Sequence, residues 1–267
     1  MTIRARQVIL VVAASLALSL ASTPASANSG ATIGTRPTIV LVHGAFSGPS
    51  AWDEVMAGLQ KDGYSTVTPT LGLESIDGDV AIVRSTLDGI SGDKILVGHS
   101  YGGIVISNAA AGRTDVLGLV FTTAFVPAEG DSIASLGVGY APPSFLAPGH
   151  LVVNPFPFAT IDPAFFREDF AQDLNPKLAA ALATAQGATS LAILTDTSGP
   201  VAWGDIPSWY ALSGADRVID PALQLFMAQR AGSQIVQFDD ASHAGGFTHY
   251  QARFVRLIEQ AVRSTTG

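Results

Sequence analysis

One serine in this chain stands where a side chain can act as a nucleophile. Gly98, His99, Ser100, Tyr101 and Gly102 spell G-x-S-x-G. The pattern lies between two apolar runs, KILV from Lys94 and IVISNAA from Ile104. In a chain with 27 glycines the pentapeptide alone says little. Between a strand and a helix it says much more. A sharp strand-to-helix turn lifts the hydroxyl above the sheet edge, and small neighbours are needed there to avoid clashes. The helix that begins behind the serine favours negative charge developing at that point.

A serine hydroxyl needs a base, and there are five histidines. His43, in the HG turn after the first apolar run, is expected to brace its loop. His99 is expected to point away from the active face. His150 falls in a Pro/Gly-rich loop, and His249 opens the last helix. His243, in FDDASH beyond the run QIVQF, is the expected base. The acid should come between them. Asp216, in SGADRVID, gives the chain order Ser, Asp, His. Its role is to hold the imidazole tautomer and stabilise the imidazolium. Asp220 competes for that role, but it precedes Pro221 and reads as a helix N-cap. Asp239 and Asp240 lie too near His243 in the sequence to be first choices. Charge developing on a carbonyl oxygen calls for backbone donors. Chain position suggests the N–H of Ala45 in HGAF and that of Tyr101. There is no H-E-x-x-H and no cysteine, so no metal site and no cofactor is expected.

These residues need elements to position them, and strands and helices alternate on both sides of one interruption. Strands are expected at Thr38–Val42, 65–68, 94–98 and Val116–Thr122, with helices over 49–62, 79–91 and 101–111 between and after them. The rhythm stops over residues 127–204, which hold nine of the 15 prolines and six of the 13 phenylalanines. Patches at 163–171 and 176–186 look helical. The stretch is too long for a plain connection and reads as an inserted, mainly helical lid. Regular order resumes with a strand at 208–212, a helix at 221–231, a strand at Gln234–Phe238 and a last helix near 249–263. The whole predicts an α/β fold: a mostly parallel, doubly wound sheet in two core parts, 28–126 and 205–267, carrying a lid.

Residues 1–27 carry Arg4, Arg6, an apolar run over 8–21, and Ala25, Ser26 and Ala27 in an A-x-A pattern. That is a cleavable export signal, too short to span a bilayer. It predicts a secreted or periplasmic protein with no stable membrane anchor after processing near Ala27. Removing Arg4 and Arg6 leaves 12 basic residues of 14 against 22 acidic ones, a net charge of −10. Such a surface repels nucleic acid and anionic lipid, and neither is expected as a partner.

Taken together, HGAF with Trp52 beyond it, GHSYGG, GADRVI and SHAGGF identify a resemblance to the α/β-hydrolase superfamily. The chain looks most similar to the branch of plant methylesterases, hydroxynitrile lyases and bacterial esterases. The similarity spans most of 37–265 and is weakest in the lid. It implies Ser100, Asp216 and His243 as a triad, with Ala45 and Tyr101 as oxyanion donors. Two departures argue against lyase chemistry. Ala244 stands where the lyases carry a lysine after the histidine, and His99 where they have an acid before the serine. The leading expectation is a serine-dependent carboxylic ester hydrolase working through an acyl-enzyme. The alternatives are a non-catalytic ligand binder on the same fold and a lyase. The lid aromatics Tyr140, Phe145, Phe156, Phe158, Phe165, Phe166, Phe170 and Trp203 form either the lid's own core or an apolar substrate pocket.

Overall fold

The computed structural model describes residues 36–266, so the expected export signal over 1–27 lies outside the described residues. The apolar run TIVLV is β1 (Thr38–Val42), whose last four residues are fully buried. A strand apolar on both faces belongs inside a covered parallel sheet, and that is its place. A 3-10 turn leads from β1 into α1 (Asp53–Lys61). The short edge strand β2 (Thr66–Val67), α2 (Ile76–Asp88), β3 (Lys94–His99), α3 (Gly102–Ala110) and β4 (Val116–Thr122) follow. Helix α2 begins three residues before the expected start, because the Ser75 hydroxyl caps it by accepting the Gly78 N–H at 3.2 Å.

Between β4 and the next strand of the main sheet lie residues 123–207, which take in the stretch expected as an insertion at 127–204. They contain the short α4 (Ile133–Leu136), β5 (Leu151–Val153), β6 (Phe158–Ile161), α5 (Pro163–Phe170), α6 (Pro176–Thr184) and β7 (Thr189–Ser190). Helices are in the majority, but β5, β6 and β7 also pair into a small antiparallel sheet that the sequence did not reveal. Strands of two to four residues are too short for alternation to register, and Pro155 and Pro157 mask the turn of the hairpin. The main sheet resumes with β8 (Ser208–Ser213), α7 (Pro221–Arg230), β9 (Gln234–Phe238) and α8 (Gln251–Thr265). Helices α5, α6 and α7 share one start device, an Asp or Asn cap followed by proline: Asp162, Asn175 and Asp220. Asp220 thus caps α7, as its sequence context suggested.

The main sheet runs β2-β1-β3-β4-β8-β9, every neighbouring pair parallel. From β1 the chain steps outward to β2, then returns across β1 to reach β3. With right-handed crossovers that reversal puts α1 and α2 on opposite faces. Helix α8 packs beside α1, and α3 beside α2. The reversal also opens a crevice at the carboxyl ends of β1 and β3, where ligands bind in sheets of this kind. The HGAF loop leaves β1 there, and Ser100 leaves β3.

Candidate active site

Ser100 has φ +54, a left-handed conformation that costs a side-chain-bearing residue energy and persists only where its surroundings dictate it. The Ser100 N–H donates to the Thr122 carbonyl at 3.3 Å, and the Ser100 carbonyl accepts from Gly103 at 3.0 Å and Phe125 at 3.1 Å. Behind the turn α3 is pressed against β1. A Cβ at Gly102 would stand 2.5 Å from the Val42 oxygen and 2.7 Å from that of His43, so only glycine fits.

Asp216 and His243 come from the loops after β8 and β9. The His243 Nδ1–H donates to Asp216 Oδ2 at 2.8 Å, with both side chains wholly shielded from solvent. The carboxylate is held from three more directions. Oδ1 accepts the N–H of Val218 at 2.7 Å and of Ile219 at 3.1 Å, and Oδ2 accepts from Gln224 Nε2 at 2.8 Å. Gln224 in turn takes the Ser213 N–H at 3.1 Å and donates to the Ile219 carbonyl at 2.9 Å. The sequence reading missed this residue. Its signal was a glutamine on the buried face of α7, beside Leu223, Met227 and Ala228.

His243 Nε2 is buried and has no hydrogen-bond partner among the described residues. The ring lies edge-on to Phe170, with centroids 4.6 Å apart. Phe170 and Ser100 line the same cavity. The structure therefore joins Asp216 to His243 and connects His243 to Ser100 only through Phe170, with no Ser100–His243 hydrogen bond. In unliganded sites such bonds are often long and tighten only with substrate.

His99, expected to point away from the active face, is buried and is not among the residues that line the cavity. It sits under His243, ring centroids 4.7 Å apart, and its Nε2–H donates to the His243 carbonyl at 3.1 Å. Burial, first, and the neighbouring His243, second, hold its pKa well below the ordinary value, so it is neutral at pH 7. His43 braces its loop as expected. Its Nδ1–H donates to the Gly44 carbonyl at 2.9 Å, and its Nε2 accepts the Leu71 N–H at 3.1 Å. Burial lowers its pKa as well. Gly44 O and Ala45 N–H belong to one peptide plane and point in opposite directions. By gripping the oxygen, His43 restrains that plane, and with it the N–H, from the core side.

Ala45 and Tyr101 both line the cavity, and neither N–H has a backbone acceptor among the described residues. The Tyr101 side chain runs down from the turn to a buried acid, its hydroxyl donating to Asp79 Oδ2 at 2.8 Å. Asp79 Oδ1 accepts from Gly72 at 2.7 Å and Leu73 at 3.2 Å. Asp79 lies four residues before Val83 and eight before Leu87, on the apolar face of α2. That odd placement was the only trace it left in the sequence.

The other histidines lie elsewhere. His150 pairs with Asp169 at 2.7 Å and stacks on Phe165, and His249 meets the Asp173 carbonyl. Asp239 and Asp240 are exposed. Gly245, two residues after His243, has room for no side chain, since a Cβ there would overlap the Asp173 carboxylate and crowd the Ser242 nitrogen.

The cavity measures about 260 Å³. The lid aromatics do not share one fate. Tyr140, Phe145 and Phe170 face the cavity, whereas Phe166 is buried beside Phe170 and Phe156 is exposed. Asp220 is the one charged side chain among the lining residues, and both its oxygens already serve as acceptors, from Ala141 and Ala222.

Residues 39–257 match the model of the alpha/beta hydrolase family. The chain belongs to that family. Among curated members of known name, the carbendazim hydrolyzing esterase of Nocardioides sp. (strain SG-4G) is 36% identical over 121 residues. That match takes in 40% of this chain and half of the esterase's length. Among solved structures, a pyrethroid hydrolase from Sphingobium faniae JZ-2 superposes with a TM-score of 0.71 at 23% identity, over 86% of this chain and 98% of that one. The methylesterase protein MES16 from Arabidopsis superposes with a TM-score of 0.68 at 19% identity, over 84% and 98%. At such identities the structural likenesses speak for the fold. Esterases and hydrolases recur among these relatives, and the chain is accordingly a hydrolase homologue.

Proposed function

We propose that this hydrolase cleaves neutral carboxylic esters through a Ser100 acyl-enzyme. Ser100 Oγ attacks the ester carbonyl while His243 Nε2 takes its proton. Asp216 keeps the Nδ1–H tautomer and steadies the imidazolium without accepting the proton. The oxyanion is met by the N–H groups of Ala45 and Tyr101, which act where charge develops. His243 then protonates the departing alcohol, and water repeats the sequence to free the acid. The observation that carries this reading is the fully buried Asp216–His243 pair, whose imidazole lies against Phe170 of the cavity that also holds a serine in a strained turn.

The substrate follows from the lining. With no lysine or arginine and a single occupied carboxylate, the cavity offers nothing to a carboxylate or phosphate, and it favours an apolar acyl or aryl group. The names of the relatives fit neutral, largely apolar substrates. Lyase chemistry lacks its cation, since the residue after His243 is the buried Ala244. For the chain as a whole we infer export and cleavage after Ala27, from the sequence alone. A panel of p-nitrophenyl esters of graded chain length, with mandelonitrile alongside, tests the reading. Turnover of neutral esters and no cyanide release is expected. Cyanide release without ester turnover would overturn it.

A further inference from the structure

The lid touches the HGAF loop at one point that bears on chemistry. Phe46, the residue after Ala45, has φ +55 and a buried side chain. Its N–H donates to the hydroxyl of Thr189 at 2.9 Å, and Thr189 is the first residue of β7 in the lid. The Thr189 hydroxyl hydrogen is directed to the Gly187 carbonyl at 3.2 Å, so the oxygen's role toward Phe46 is that of acceptor. Two backbone bonds flank this contact. The Gly187 N–H donates to the Ser47 carbonyl at 3.2 Å, and the Ser190 N–H to the Leu73 carbonyl at 2.8 Å.

Ala45 therefore lies between two clamped peptide planes. On its N-terminal side the Gly44–Ala45 plane is gripped from the core by His43. On its C-terminal side the Ala45–Phe46 plane is gripped from the lid by Thr189. We propose that Thr189 is a positioning residue for ester hydrolysis: through Phe46 it fixes the direction of the Ala45 N–H, so that the lid completes the oxyanion hole. Phe46 would not hold a left-handed conformation unaided. Without an acceptor its buried N–H would pull the loop toward another arrangement. A donor displaced by a fraction of an ångström still permits substrate binding but meets the tetrahedral oxyanion poorly.

This inference rests on the reading of Ser100 as nucleophile, and the test separates the two. T189V and T189S are assayed on a neutral p-nitrophenyl ester, with rates normalised to active sites titrated from the acyl-enzyme burst. T189V is expected to lower kcat by about 10- to 100-fold with KM within about twofold. T189S, which keeps the acceptor, restores most of the rate. Inhibition by an aryl trifluoromethyl ketone, whose hemiketal with Ser100 Oγ, formed as His243 takes the hydroxyl proton, places an oxyanion in the hole, weakens in T189V by the same factor as kcat/KM. A purely structural role would lower the titrated fraction of active enzyme and leave kcat per site and the inhibitor unchanged. Should T189V not fold, T189C, whose thiol is a weaker acceptor, carries the same comparison. A kcat within twofold of wild type in the valine or cysteine variant, or a serine variant as slow as valine, overturns the proposal. If Ser100→Ala is inactive while T189V is unimpaired, only this inference falls. If Ser100→Ala stays active, the reading of the site falls with it.

Discussion

The sheet and the lid hold the same site by different means. The sheet works through backbone. Ser100 is forced upward by the turn between β3 and α3, and the reversal of strand order between β1 and β3 opens the crevice beneath it. The lid works through single hydrogen bonds to the loops that the sheet leaves loose. Thr189 takes the Phe46 N–H. The Phe170 carbonyl takes the N–H of Ala244, next to His243. Gln172 donates to the carbonyl of Ala215, next to Asp216, at 2.6 Å. The sheet decides where the reacting groups are, and the lid decides how tightly their loops are set.

That division predicts graded effects. Removing the proposed nucleophile should be the most severe: Ser100→Ala should lower kcat on a simple ester by about 10⁴–10⁶ with little change in stability. An alanine variant that keeps a tenth of the activity would break the contrast at once. Next comes the acid. Asp216→Asn should cost about 10³–10⁴ in kcat, because the imidazole loses its tautomer. Asp220→Asn should cost no more than ~1 kcal/mol of stability through a weaker cap on α7. Steady-state kinetics and thermal melts of both variants check the pair, and the reverse ranking would move the catalytic acid to Asp220.

The smallest effect concerns pH. Burial lowers the pKa of His43 and His99. As pH falls below about 6.5 the unfolded chain takes up these protons while the folded chain resists, so stability declines through that range. In His99→Gln, whose amide can donate to the His243 carbonyl in place of the ring, the slope between pH 6.5 and 5 should fall by about 1.4 kcal/mol per pH unit at most. Urea melts across that range measure it. An unchanged slope would mean that His99 is not held neutral by the fold.

The same contrast explains what could be read from the sequence. TIVLV and VLGLVFT were legible to the residue as strands, because an apolar run bounded by turn residues has one comfortable home in a parallel sheet, and the edge strand QIVQF by its short β-branched stretch before a turn. Ser100, Asp216 and His243 stood at the ends of such runs, where position alone made them candidates. Thr189, Gln172 and Gln224 carry no such mark. Thr189 and Gln172 matter because of partners far away in the chain, Phe46 at a separation of 143 residues and Ala215 at 43, and Gln224 because the loop after β8 folds back onto α7. The β5–β7 sheet was hidden by its short strands. The sequence did not show that the His99 ring packs against His243, 144 residues away.

The central claim, that the strained serine at the end of β3 is the group that reacts, is tested most directly by covalent capture. Intact protein treated with a fluorophosphonate and mapped by peptide mass spectrometry should carry one adduct, on Ser100, with ester turnover lost in step with labelling. An adduct on another residue, or full ester turnover in protein that takes up no label, would contradict the account.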